Sequence, residues 1–93
     1  MSPPSEGLLD ALSSLLNYQE ATLEQVLREL RHASSVFPPF NSAHEGFAVL
    51  KEEVDELWDE VKKNQKIRSI EKMRREAVQV AAMALRFLND IDG

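Results

Sequence analysis

The chain has 93 residues, a length that suits one small domain near the lower limit for a self-sufficient core. Its net charge of −5 argues against a nucleic-acid-binding protein and against binding to anionic membranes, because both normally require a basic surface. Disulfides and thiolate metal sites are excluded, since cysteine is absent. No apolar run approaches the roughly 20 residues that span a bilayer. The N-terminus lacks the basic stretch of a secretory signal, so we expect a cytoplasmic protein.

The three glycines and four prolines are too few to form the turns between many short strands. The sequence therefore predicts an all-α fold, a small bundle of three to four helices in one domain spanning residues 1–93.

Two apolar stripes with helical spacing occupy the N-terminal third of the chain. The first consists of Leu8, Leu9, Leu12, Leu15 and Leu16, and the second of Leu23, Val26, Leu27 and Leu30. Thr22 and Gln25 resemble a capping box, which would divide this region into helices over about 5–18 and 20–34. A spacing of seven from Leu9 through Leu30 to Phe37 is equally compatible with one long helix.

A Phe37-Pro38-Pro39-Phe40 sequence ends this region, because proline breaks the helical hydrogen-bond ladder. Ser42 then offers an N-cap, with Glu45 as its reciprocal partner, for a helix over about 43–63. The spacing of apolar residues in this helix predicts a core stripe formed by Phe47, Leu50, Val54, Leu57 and Val61.

A basic connector over 64–68 leads to Ser69, which can cap a last helix that ends at about Asp90. This helix is apolar over more than half of its circumference, so more than one neighbour must cover it. In a chain this short, we expect a second subunit to supply part of that cover.

Acidic residues on the last two helices form a candidate metal site. Glu53 and Glu56 project from one side of their helix, since residues i and i+3 are neighbours. Glu76 lies in line with Met83 and Phe87 on the apolar side of the last helix, where a carboxylate is costly unless it is paired or binds a cation. A short connector makes the two helices antiparallel neighbours, so their acids could hold Mg²⁺ and support phosphoanhydride hydrolysis.

Two half-motifs carry a resemblance to a known family. Glu53-Val54-Asp55-Glu56 and Glu76-Ala77-Val78-Gln79 are separated by nineteen residues. They resemble the E-x-x-E and E-x-x-D motifs of the MazG-like all-α nucleoside triphosphate pyrophosphohydrolases. Glu52 matches the family's frequent double Glu, and the aromatic-proline turn before His44 is similar to its lead-in. The resemblance covers about residues 20–93, and residues 1–19 would hold an added N-terminal helix.

The resemblance implies cleavage between the α and β phosphates of a nucleoside triphosphate, giving a nucleoside monophosphate and pyrophosphate. It implies Mg²⁺, or Mn²⁺ in its place, and a homodimer or homotetramer. The implied metal ligands are Glu53, Glu56, Glu76 and Gln79. Glu52 is the candidate for orienting or deprotonating the attacking water.

Gln79 departs from the family pattern, because an amide oxygen binds Mg²⁺ more weakly than a carboxylate and cannot act as a base. Because of this departure, Glu60 or Asp90 could serve as a metal ligand in place of Gln79. The chain could also be a catalytically silent dimerisation, adaptor or nucleotide-sensing module. The alternative for Glu76 itself is a buried salt bridge to Arg28, to Arg31 or to another subunit.

Overall fold

In a computed structural model the chain forms three helices, α1 over Glu6–Val36, α2 over Ala43–Val61 and α3 over Ile70–Asp90. The structure describes residues 6–91, with the side chains of residues 6, 8, 9 and 11–18 excepted. No strand occurs among residues 6–91, so the predicted all-α bundle is confirmed, with three helices. None of the described helices is long and apolar enough to cross a membrane.

The first helix is continuous through the segment where the sequence left two alternatives open. Thr22 lies inside α1 rather than at the start of a second helix. No glycine or proline occurs between Leu8 and Phe37, and Asn, Tyr and Thr each cost a helix less than about 0.7 kcal/mol. The predicted stripe of Leu8, Leu9, Leu12, Leu15 and Leu16 falls outside the described side chains.

The ends of α2 and α3 follow from local chemistry. The Ser42 hydroxyl accepts a hydrogen bond from the Glu45 amide at 3.1 Å, and the Ser69 hydroxyl accepts one from the Lys72 amide at 3.2 Å. Both predicted N-caps are therefore confirmed. The Glu45 carboxylate accepts from the Asn41 side-chain amide at 3.0 Å. Helix α2 ends at Val61, two residues before the predicted end.

Helix α3 is central, because α1 and α2 pack on it rather than on each other. The buried apolar residues of the described part are few: Val26, Ala33, Phe40, Ala82 and Met83. The radius of gyration is 17.4 Å, whereas a compact domain of this length would have about 12 Å. An isolated chain thus forms an open layer of helices with a small core.

The predicted core stripe of α2 is only partly correct. Leu50, Leu57 and Val61 are half-buried, but Phe47 and Val54 are exposed to 60% and 45%. The helix is rotated so that Glu53 and the acidic flank face α3. This orientation leaves an apolar stripe in solvent, which consists of Phe47, Val54 and Trp58.

The connector between α1 and α2 is fastened to the C-terminal end of α3. Arg86 Nη2 donates to the Pro38 carbonyl at 2.8 Å, and its guanidinium lies 4.4 Å from the centre of the Phe40 ring. The Phe40 amide donates to Asp90 Oδ2 at 3.1 Å. These contacts hold the Pro-Pro segment against α3 and fix where α2 begins.

Gly46 allows α2 to approach α3 closely near this connector. A Cβ at position 46 would lie 2.8 Å from Cδ2 of Phe87 and 3.1 Å from Cδ2 of Phe40. Such distances are too short for carbon atoms, so any side chain at Gly46 would displace an aromatic ring. The glycine thereby sets the separation of the two helices that carry the acidic residues.

We expect Gly46→Ala to lower the free energy of unfolding by about 1–3 kcal/mol, because overpacking outweighs the roughly 1 kcal/mol by which alanine favours a helix. Gly7→Ala is the matched control, since a Cβ there meets nothing within 4 Å. It should leave stability unchanged or raise it. Urea unfolding of both variants measures the difference, and a Gly46→Ala protein as stable as Gly7→Ala would contradict the close approach.

Candidate metal centre

Three of the carboxylates predicted from the sequence come together between α2 and α3. One oxygen from each of Glu53, Glu56 and Glu76 lies within 4.8 Å of the other two. Two oxygens bound to one Mg²⁺ are at most about 4 Å apart, given Mg–O distances near 2.1 Å. Small side-chain rotations would therefore bring the three oxygens around one ion. We call these three residues the acidic triad.

The acidic triad has no cationic partner among the described side chains. Ion pairs in that part of the chain join Lys51 to Asp55, Lys62 to Asp59, Lys63 to Glu60 and Arg75 to Glu71. Those four neighbouring acids are thus paired with cations, whereas the members of the triad are not. The predicted alternative of a salt bridge from Glu76 to Arg28 or Arg31 is not observed there. Three close carboxylates without a cation repel one another, which favours binding of either protons or a metal ion.

The proton affinity of Glu53 reflects this crowding. The pKa of Glu53 is raised from 4.5 to about 7. Burial is the largest cause, followed by the charge of Glu56, a hydrogen bond with Glu56 and the charges of Glu76 and Glu52. Each of these causes disfavours the ionised carboxylate. A bound cation would reverse them, because it stabilises the charged form.

The pKa of Glu76 is also raised. Burial is the largest cause, followed by the charge of Glu56, a hydrogen bond with Glu56 and the charge of Glu60, while Arg75 acts in the opposite direction. Glu76 is half-buried on α3, in agreement with its predicted place on the apolar side of that helix.

The remaining predicted site residues line an adjoining cavity of about 340 Å³. Glu52 and Gln79 lie on its wall together with Glu53, so the cavity and the acidic triad share Glu53. Apolar side chains form much of the remaining wall: Ala33, Phe37, Pro38, Phe40, Val49 and Met83. The cavity thus has both apolar and charged walls, and it adjoins the acidic triad at Glu53.

A second, more open groove of about 640 Å³ lies between α1 and α3. Arg28, Arg74 and Arg75 line it, and it shares Glu29 and Gln79 with the first cavity. Positive charge is therefore available on the other side of Gln79.

Asp90 and Glu60, the two acids that could replace Gln79 as a metal ligand, lie at different distances from the triad. Asp90 accepts the Phe40 amide hydrogen bond and lies fourteen residues beyond Glu76, about 21 Å along the helix axis, so it is too distant to join the triad. Glu60 lies close enough to raise the pKa of Glu76, but Lys63 pairs with it at 2.8 Å.

No family model matches the chain, and no curated protein or solved structure matches it either. The resemblance to the MazG-like enzymes therefore depends on the motif residues themselves.

Sequence reasoning missed one notable residue of the cavity, Arg86. Its signal was the same as that of Glu76, namely a charged side chain in line with apolar residues of α3. Arg86 follows Ala82 and Met83 by four and three residues, and both are buried.

We expect the melting temperature of metal-free protein to fall as the pH rises from about 5 to 8. The pKa of Glu53 is about 7 in the folded protein and 4.5 in its ordinary state, so the folded protein binds more protons in this range. Stability then decreases with rising pH. Glu53→Gln should remove most of this slope in thermal unfolding.

Asp55→Asn is the control for that measurement, because Asp55 lies in the same turn but pairs with Lys51. It should keep the slope of the wild type. Parallel pH profiles of the wild type and Glu53→Gln would contradict the raised pKa.

Proposed function

We propose that this protein is a Mg²⁺-dependent nucleoside triphosphate pyrophosphohydrolase. The observation that carries the proposal is the acidic triad, three carboxylates without a cationic partner in the described part of the chain, which adjoin a partly apolar cavity through Glu53. All-oxygen clusters of this kind suit Mg²⁺, which commonly also binds substrate phosphates.

Glu53, Glu56 and Glu76 would hold Mg²⁺, which would offset most of their negative charge and polarise the phosphate that is attacked. Glu52 is exposed on the cavity wall beside Glu53, and we assign it the role of accepting the proton from the attacking water. The water oxygen forms a bond to the α-phosphorus, the bond from that phosphorus to the bridging oxygen breaks, and pyrophosphate leaves.

The cavity supports a nucleoside as the organic part of the substrate. Its aromatic and aliphatic wall suits a flat heterocycle, while the triad at its edge suits the phosphates. Arg28 and Arg74 of the neighbouring groove supply positive charge for a polyphosphate in a protein that is acidic overall, whereas Arg75 there pairs with Glu71.

Gln79 adds a neutral oxygen donor one turn beyond Glu76. With three carboxylates rather than four, the site holds less negative charge, and we expect weaker Mg²⁺ binding than four acids would give. Glu52 rather than Gln79 is the acid-base candidate, because an amide accepts no proton near neutral pH.

Pyrophosphate release from a panel of (d)NTPs tests the proposal. We expect Mg²⁺-dependent turnover in the wild type and a loss of at least about 100-fold in Glu53→Gln and Glu76→Gln, since each removes one charge from the metal site. Asp55→Asn should retain activity, because its carboxylate faces Lys51 rather than the triad.

Absence of turnover with every nucleotide, together with no rise in melting temperature on adding Mg²⁺, would contradict the enzyme. That outcome would favour the second candidate, a catalytically silent dimerisation or adaptor module. The exposed stripe of Phe47, Val54 and Trp58 supports an interaction surface of this kind.

We further propose that the working unit is a homo-oligomer, a dimer or a tetramer. The open layer of helices buries few apolar residues. A second copy packed on the α2 stripe would cover the apolar residues that the isolated chain leaves exposed.

Light scattering should therefore give at least twice the chain mass of 10.6 kDa for the wild type. Trp58→Glu should shift the protein towards the monomer, because it places a charge in the centre of the stripe. Ala48→Glu, at an exposed position on another side of α2, should keep the oligomer. A monomeric wild type would contradict the proposal.

A further inference from the structure

Arg86 is the single buried charged residue among the described side chains, with 4% of its surface exposed. No carboxylate lies within ion-pair distance of it in that part of the chain, where the ion pairs involve other residues. A buried cation without an acid is costly unless other acceptors satisfy its donors.

The contacts of Arg86 satisfy only some of its donors. Nη2 donates to the Pro38 carbonyl at 2.8 Å, and Nη1 lies 3.9 Å from the sulfur of Met83, a weak acceptor. Phe40 stacks against the guanidinium. These bonds use two of the five N–H donors of an arginine, and Arg86 also lines the cavity beside the acidic triad.

The charge around the cavity decides which acceptor fits. Glu29, Glu45, Glu52 and Glu53 line it together with Arg86, so the wall carries four carboxylates and one guanidinium. An anionic group entering the cavity would be repelled by these acids, whereas a neutral carbonyl oxygen would not. Phe37, Pro38 and Met83 meanwhile form apolar walls that suit a flat ring.

We propose that Arg86 recognises a carbonyl oxygen on the nucleobase of the substrate, so that the cavity prefers oxo-bearing bases to adenine. This proposal rests on the proposed function for the position of the phosphates at the acidic triad. Arg86 lies ten residues beyond Glu76, about 15 Å along the axis of α3, and a nucleotide can extend over such a span from base to phosphates.

Inosine and adenosine form a matched pair for the test, because at C6 of the same purine one carries an oxo group and the other an amino group. Neither carries a phosphate, so their binding requires no metal and no turnover. We would titrate each into metal-free wild-type protein and follow the methyl resonance of Met83, which lines the cavity. Inosine should bind at least about tenfold more tightly, as expected for one hydrogen bond to a charged donor.

Arg86→Met should reduce the ratio of inosine affinity to adenosine affinity to nearly one. The substitution preserves much of the side-chain volume and removes the N–H donors. Arg31→Met is the control, since Arg31 is exposed on α1 and outside the cavity, and it should keep the preference. Equal binding of the two nucleosides by the wild type, or no binding of either, would overturn the proposal whatever the state of the variants. A preference retained in folded Arg86→Met would also overturn it. Loss of pyrophosphate release with the nucleoside preference intact would instead contradict the catalytic function alone.

Discussion

The close packing of α2 on α3 is the constraint on which the rest of the structure depends. Gly46 permits it, because the ring of Phe87 occupies the space that a side chain at position 46 would need. The same packing brings Glu53 and Glu56 opposite Glu76. The packing also brings the three carboxylates close enough to repel one another, and the pKa of Glu53 is raised to about 7 by its burial first and by the neighbouring acids second. A divalent cation would convert this repulsion into attraction, so metal binding would be coupled to helix packing.

The orientation of α2 is the feature that the sequence predicted least well. Periodicity places Leu50, Leu57 and Glu53 on adjacent parts of the helix surface, and it cannot decide which part faces α3 when apolar and acidic stripes adjoin. In the structure Glu53 is half-buried and faces α3, Glu56 is exposed beside it, and Phe47 and Val54 face solvent. An exposed apolar stripe and a half-buried carboxylate would both be explained if a metal ion bound at the edge of the α2–α3 contact and a second copy covered the stripe.

Short sequence signals predicted the ends of the helices better than periodicity predicted their orientation. The N-caps at Ser42 and Ser69 and the break at Pro38-Pro39 were predictable, because each depends on a few neighbouring residues. The continuity of α1 was not, since a capping-box pattern at Thr22 and an uninterrupted heptad spacing coexist there. The place of Glu76 followed from helical periodicity, and the same reasoning applied to Arg86 would have found a second charged residue on the apolar side of α3. The contacts of Arg86 with Pro38 and Phe40 need the tertiary structure, because they join residues nearly fifty positions apart.

The proposal that the acidic triad binds a divalent cation is tested most directly by an anomalous difference map from crystals grown with Mn²⁺. We expect a peak within coordination distance of carboxylate oxygens of Glu53, Glu56 and Glu76. A map at high Mn²⁺ concentration with no peak between α2 and α3, while the three side chains keep their positions, would contradict it.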